Sequence, residues 1–207
     1  MEQFELRWNG HACFSLTCRD FTVVFDPYED NYIPGFAPLD LEADLVLCSH
    51  GHGDHSAEHV VRRRTGGTNP FTITTIDTFH DPQGGALRGG NTIHILEAGG
   101  LKAAHFGDIG CELTPTQMAE LQGLDVAMIP VGGFYTIGPA EAKALMDKLG
   151  ARVVIPMHYR MGGIGLPAVQ ELDDFLALVE DYVYYPGNSI TVNAGTKPQV
   201  AVLTYQP

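Results

Sequence analysis

Positive charge is scarce in this chain. Its 207 residues carry 12 Lys and Arg against 25 Asp and Glu, a formal net charge of -13. An acid excess of that size repels a phosphate backbone, and the basic run Arg62-Arg63-Arg64 is too short to form a stripe, so nucleic acid is not the expected partner. Long apolar runs are missing as well. No segment approaches the roughly 20 residues of a membrane-spanning helix, and no membrane partner is expected. The opening MEQFELRWNGH has neither the basic nor the apolar stretch of a signal peptide, which makes a cytoplasmic location the expectation. Cysteine is sparse, and Cys13, Cys18, Cys48 and Cys111 include no CxxC pair. A disulfide scaffold or a four-thiolate zinc site therefore has little support, and small core hydrophobes are the simpler reading.

Apolar side chains are plentiful, at 44% of the chain, while charged ones are 18%. That balance supports a packed core rather than disorder. The 24 glycines and 13 prolines fit many tight loops better than a bundle of long helices. No linker, abrupt composition shift or internal repeat divides the chain, and its length suits one domain spanning residues 1–207. Oligomeric state is left open, a homo-oligomer included.

The pattern predicts strands over Phe4 to Trp8, Ala12 to Leu16 and Thr22 to Phe25, the last ended by Asp26-Pro27, then a surface loop from Glu29 to Leu39. Leu45 to Cys48 is a buried-type strand, followed by a helix from about Ser56 to Arg64 stopped by Gly66-Gly67. A strand over Phe71 to Ile76 leads to His80. A hairpin pairs Thr92 to Glu97 with Leu101 to Phe106 through Gly99-Gly100. Thr114-Pro115-Thr116-Gln117 reads as a capping box opening a helix to about Leu121. Further on come strands at Val126 to Ile129 and Val153 to Ile155, helices at Pro139 to Leu149 and Pro167 to Val179, and short strands around Tyr182 to Tyr184, Ile190 to Val192 and Val200 to Tyr205. Helices outside a pair of strand layers would gather the strand-end loops on one edge, where ligands collect.

One segment carries most of the chemical information. His50-x-His52-x-Asp54-His55 places four potential metal ligands in six positions, with glycines that let the loop turn sharply. Residues two apart in extended chain face the same way, so His50 and His52 can grip one ion while Asp54 and His55 face elsewhere. A second ion explains them economically. His80, Asp108 and His158 each follow a predicted apolar strand, the placement that holds ligands rigidly.

Through Trp8-Asn9-Gly10-His11, Asp26-Pro27, Ser49 to His55, Phe79-His80, His105 to Asp108, Ile129 to Gly133 and Ile155 to Tyr159, the chain resembles the metallo-beta-lactamase-fold superfamily. More narrowly it resembles the branch that includes ascorbate-6-phosphate lactonase-like proteins. The resemblance covers all but about the last forty residues and implies a four-layer αββα sandwich with metals at one edge. It also implies one cation on His50, His52 and His80, another on Asp54, His55 and His158, and Asp108 bridging both. Two divalent ions are expected: zinc first, because imidazoles suit it, with manganese or iron compatible with the two carboxylates. Asp108 as a bridge departs from the lactamases proper, which argues against antibiotic hydrolysis, and the inserted domain of the nucleic-acid-processing members is absent.

The function implied is hydrolysis of a small-molecule ester, lactone or phosphoester, possible anionic groups included, by a hydroxide activated between two metals. Asp54 would ligate and orient the nucleophile. His11 and His105 are candidates for delivering the leaving-group proton, each with a structural role as the competing reading. Asp26 either fixes the far nitrogen of a ligand imidazole or accepts backbone hydrogens in its own turn. Arg88 and Arg160 are candidate anion contacts, and Trp8, Tyr135 and Tyr159 a candidate apolar wall or ordinary core. His59 and His94 read as surface or packing residues. The alternative function is an iron-binding redox or sensory protein on the same scaffold.

Overall fold

The structure is a computed structural model that describes residues 2–207. In β1 (Gln3–Gly10), Phe4, Leu6 and Trp8 are buried while Gln3, Glu5 and Arg7 are exposed, the two-residue period of a strand covered on one face. β2 (Cys13–Cys18) and β3 (Phe21–Phe25) continue it as an antiparallel meander, turning at Arg19 with φ +55°. β4 (Leu41–Ala43) leads to β5 (Leu45–Leu47), which lies parallel to β3, and β6 (Val61–Arg63) pairs with β4 in a small ribbon.

β7 (Thr72–Phe79), β8 (Gly90–Ala98) and β9 (Leu101–His105) form a second antiparallel meander. The β8–β9 turn is closed by the pair Ala98 and Leu101, and Gly99 and Gly100 supply the positive φ values that a two-residue hairpin turn needs. α1 (Pro115–Glu120) precedes β10 (Val126–Pro130), and α2 (Pro139–Leu149) precedes β11 (Val153–Met157). Every residue of β10 and β11 is buried, as expected of parallel strands covered on both faces. After α3 (Leu172–Leu176) and β12 (Tyr182–Tyr185), β13 (Ser189–Asn193) crosses back to β1 and β14 (Gln199–Leu203) inserts between β11 and β12.

The two main sheets run β13-β1-β2-β3-β5 and β12-β14-β11-β10-β9-β8-β7. Their inner faces share one apolar core, with Phe14 and Leu16 from one and Leu96 and Met128 from the other, and α2 and α3 add Ala142, Leu149, Phe175 and Leu176 to the same buried cluster. Each such large side chain contributes about 1.5–3 kcal/mol of burial. The architecture is the expected sandwich of two mixed sheets, with few and short helices.

Two predicted helices need correction. Ser56 to Arg64 is not a helix but a single 3-10 turn, Glu58–Val60, followed by β6. The β-branched Val61 is buried, and Arg62, Arg63 and Arg64 reach Asp40, Glu58 and Asp44, so strand pairing overrides a weak helical preference. Likewise Pro167 to Val179 is helical only over Leu172–Leu176. Gln170 N–H donates to Gly132 O at 2.7 Å and Gln170 O accepts from Arg160 N–H at 2.9 Å, which engages that backbone before a helix can start.

Candidate metal centre

The loops that follow β1, β5, β7, β9 and β11 converge. They bring His11, the His50 to His55 segment, His80, Asp108 and His158 to one place. Donor atoms of His50, His52 and His80 lie within 4.8 Å of one another, and those of Asp54, His55, His158 and His11 form a second, four-residue set within the same distance. Asp108 stands between them. Its Oδ2 is 3.0 Å from His80 Nε2 on one side and 3.1 and 3.3 Å from His158 and His55 Nε2 on the other.

The residues fit a pair of cations. The ring nitrogens of His11, His80 and His158, Nε2 of His50 and His55, and Oδ1 of Asp108 are buried without a hydrogen-bond partner. Unsatisfied buried groups cost about 1–3 kcal/mol each, and converging lone pairs with no donor between them are what a cation satisfies. Burial pushes His50 down to about 3 and His11 to about 4, with His55 beside the first and His158 beside the second adding to it. Both rings are therefore neutral, the form that ligates. Burial would raise the Asp108 carboxyl, but His158 and His55 hold it well below the usual carboxylate range. The same balance, set by His11 and His55, keeps Asp54 ionised.

Behind the donors lies a polar layer. Asp26 is fully buried, takes Ser49 N–H at 2.7 Å and Ser49 O–H at 2.6 Å, and sits 2.8 Å from His55 Nδ1. Ser49 Oγ is in turn 2.9 Å from His50 Nδ1. Because Ser49 gives its only proton to Asp26, its oxygen accepts from His50 Nδ1–H. One carboxylate thus fixes a tautomer in each donor set, leaving Nε2 free to face the centre. Burial opposes the charge on Asp26, yet His105, His55 and these hydrogen bonds bring it down to about 2. Asn91 steadies the other side: its Oδ1 accepts Asp108 N–H at 2.8 Å while its Nδ2 donates to Thr78 Oγ1 and Phe106 O.

Backbone strain gathers here as well. His11, Asp26 and His158 have φ of +51°, +45° and +54°, conformations that cost a non-glycine residue roughly 1 kcal/mol or more. His158 N–H donates to His11 O at 3.3 Å, and the Trp8 indole donates to the same oxygen at 2.9 Å, so the two strained turns brace each other.

Several expectations change. His105 is not in the reacting group: its Nε2–H donates to Ala12 O at 2.8 Å, its Nδ1 accepts from Gly107 N–H at 3.2 Å, and its ring stacks on Phe25 at 5.0 Å. With both nitrogens used inside the core it has no proton to deliver. His11, one of the two candidate proton donors, stands inside the second donor set, with Nε2 3.4 Å from Asp54 Oδ2 and its ring centroid 4.0 Å from that of His158. Arg160 is tied to Glu171 at 3.0 Å. Trp8 and Tyr159 are core residues packed on each other at 5.5 Å, while Tyr135 is half-buried with its ring 6.5 Å from His158. His59 is exposed beside Glu29, and His94 is buried with Nε2 3.0 Å from Cys48 O. Ser49 and Asn91 escaped the sequence reading. The available signals were a serine adjoining the histidine cluster and an asparagine just ahead of the predicted strand Thr92 to Glu97.

Two donor sets around a shared carboxylate, at one edge of a two-sheet sandwich, define a metal-dependent hydrolase of the metallo-beta-lactamase fold. The chain matches the Beta-lactamase superfamily domain over residues 5–158 and belongs to that superfamily. Within it, the chain belongs with the UPF0173 metal-dependent hydrolases. It is 31% identical to the one from Methanoregula boonei over 74% of this chain and 81% of that protein. It is 30% identical to the one from Thermococcus kodakarensis over 86% and 92%. A crystal structure from Thermotoga maritima, of a proposed zinc-dependent hydrolase of the metallo-beta-lactamase superfamily, aligns with a TM-score of 0.77 and 35% identity, covering 98% of this chain and 100% of that one.

Proposed function

We propose that the protein hydrolyses a small-molecule ester, lactone or phosphoester, with opening of a carboxylic ester or lactone the preferred reaction. The observation that carries this reading is Asp108 Oδ2, within 3.3 Å of imidazole nitrogens belonging to both donor sets. His50, His52 and His80 would hold one ion and Asp54, His55 and His158 the other, with Asp108 common to both. His11 is assigned to the second set. The imidazole-rich donors favour zinc, and the two carboxylates also accommodate manganese or iron. When bound, such a pair supplies Lewis acidity and lowers the pKa of water near neutral pH.

The chain's own groups do the rest. Asp54, ionised and flanked by His11 and His55 at 3.4 and 3.5 Å, orients the nucleophile. Arg88 lies over the rings of Phe134 and Tyr135 at 5.9 and 5.6 Å and makes no ion pair among the described residues, so it is available to an anionic group on the substrate. Relatives named as hydrolases favour this chemistry over the iron redox or sensory alternative. No helix among the described residues is long and apolar enough to cross a membrane, and a cytoplasmic enzyme acting on a small molecule is the reading we adopt.

The test is a screen of lactones, esters, phosphodiesters, thioesters and amides against protein stripped of metal and then reloaded with zinc, manganese or iron. Hydrolysis should appear only on reloading, and His52→Ala or Asp54→Ala should lower bound metal and rate together. Full activity in the stripped protein would overturn the mechanism.

A further inference from the structure

Beside the metal centre lies a cleft of about 590 Å³, inside the size range of small-molecule sites. Most of its wall is apolar side chain that the fold leaves uncovered, with Arg88, Glu112, Glu141 and Lys148 also reaching it. Leu113, Met118, Ile137 and Leu145 are half-buried, while Leu87 and Phe134 at the rim are 60% and 64% exposed. Large exposed apolar side chains grouped around a concavity indicate a ligand rather than a solvated surface.

The cleft is built from the same loops as the metal centre. The loop after β7 carries His80 and then reaches Leu87 and Arg88. Buried Asp81 holds that return, its carboxylate accepting N–H groups from Gln83, Gly85, Leu87 and Arg88 at 2.8–3.1 Å. The loop after β9 carries Asp108 and then reaches Leu113, and Ile137 N–H donates to Ile109 O at 2.8 Å, tying the next wall to it. Phe134 keeps its rim position through a left-handed backbone, φ +60°, which a bulky residue adopts only at a cost. Tyr135, whose ring is 6.5 Å from His158, lines the cleft and faces the centre. A molecule held at the donor cluster therefore has this cleft as its neighbour on the Tyr135 side, with Arg88 also in the lining.

We infer that this cleft binds a hydrocarbon arm of the substrate, so that the enzyme acts on esters or lactones carrying an extended alkyl or aryl substituent rather than on small polar ones. The inference rests on the proposed hydrolytic reading for its chemistry, but the binding step is independent of turnover. Burial of hydrocarbon is worth about 0.8 kcal/mol per methylene, a factor of about four in affinity.

The experiment measures equilibrium binding of straight-chain carboxylates, from butanoate to decanoate, to the metal-loaded protein by calorimetry. Attachment of the carboxylate to cations or to Arg88 raises every member alike, so only the slope reports the cleft. The expected result is an affinity rising about fourfold per methylene until the cleft is filled. Leu145→Asp should flatten the slope, and so should Leu87→Asp, which lies at an exposed position and leaves folding intact. Leu178→Asp, exposed outside the cleft, should leave the slope unchanged. A flat series in the wild type, or a slope that survives both cleft variants, overturns the inference. A rising slope without cleavage of any alkyl ester would overturn the hydrolytic reading alone, and cleavage with a flat series would overturn the hydrocarbon arm alone.

Discussion

Asp26→Asn changes one oxygen for one nitrogen at a site where the structure specifies every proton. Asp26 receives three hydrogen bonds, from Ser49 N–H, Ser49 O–H and His55 Nδ1–H, and its φ of +45° is one that asparagine tolerates. An amide keeps one acceptor and presents two donors. If its oxygen stays with Ser49 N–H, its nitrogen faces the other two partners. Ser49 must then accept rather than donate and turn its own proton toward His50, while His55 must give up its Nδ1 proton. Both imidazoles are driven to carry hydrogen on Nε2, the atom that faces the metal. Loss of a partner that fixes a metal-binding imidazole costs about 10- to 100-fold in affinity, and here a ligand in each donor set is affected. Two charge-assisted hydrogen bonds disappear as well, about 3 kcal/mol or more of stability. Zinc competition against a chromogenic chelator, with urea unfolding of the metal-free protein, reads both quantities. A folded variant with wild-type zinc affinity would show that Asp26 only braces its own turn.

His11→Gln should flatten the acid dependence of stability in metal-free protein. Burial holds the folded pKa of His11 at about 4, below the ordinary imidazole value of 6.5, so below pH 6.5 the unfolded chain binds the extra proton and stability falls as pH drops toward 4. The contribution lost by pH 5 is roughly 2 kcal/mol, read as the difference between wild-type and variant urea midpoints at pH 7 and pH 5. Gly107→Ala should reduce metal affinity and stability together, because a Cβ there would collide with Asn91 Oδ1 and Ser49 Cβ on a backbone with φ +53°; unchanged chelator titration and thermal melting would contradict this. Thr114→Ala removes the capping box of α1, which contributes no residue to either donor set, and should cost about 1 kcal/mol in unfolding while leaving metal binding unchanged.

How much of this was legible in the sequence follows from how local each signal is. His50, His52, Asp54 and His55 declared themselves because ligand spacing within one loop is a local property. His80, Asp108 and His158 were visible as polar residues at the ends of apolar strands. The Gly99-Gly100 hairpin and the Thr114 box were equally local, and the structure has both. His105 misled because its position three residues before Asp108 says nothing about which way the ring turns; packing on Phe25 and the carbonyl of Ala12 decide that. The relay from Asp26 through Ser49 to His50 joins residues 23 apart and exists only after β3 and β5 pair. The strand at Val61 depends in the same way on β4, a partner that no local preference announces.

Hydrolysis by this centre depends on two cations sharing Asp108. The direct measurement is titration of metal-free protein with zinc, following stoichiometry by elemental analysis after gel filtration, in the wild type and in Asp108→Asn. Two ions per chain in the wild type, with both sites weakened together by the single substitution, is the predicted result. No tightly held zinc, or an Asp108→Asn protein that still binds two ions with unchanged affinity, would contradict it.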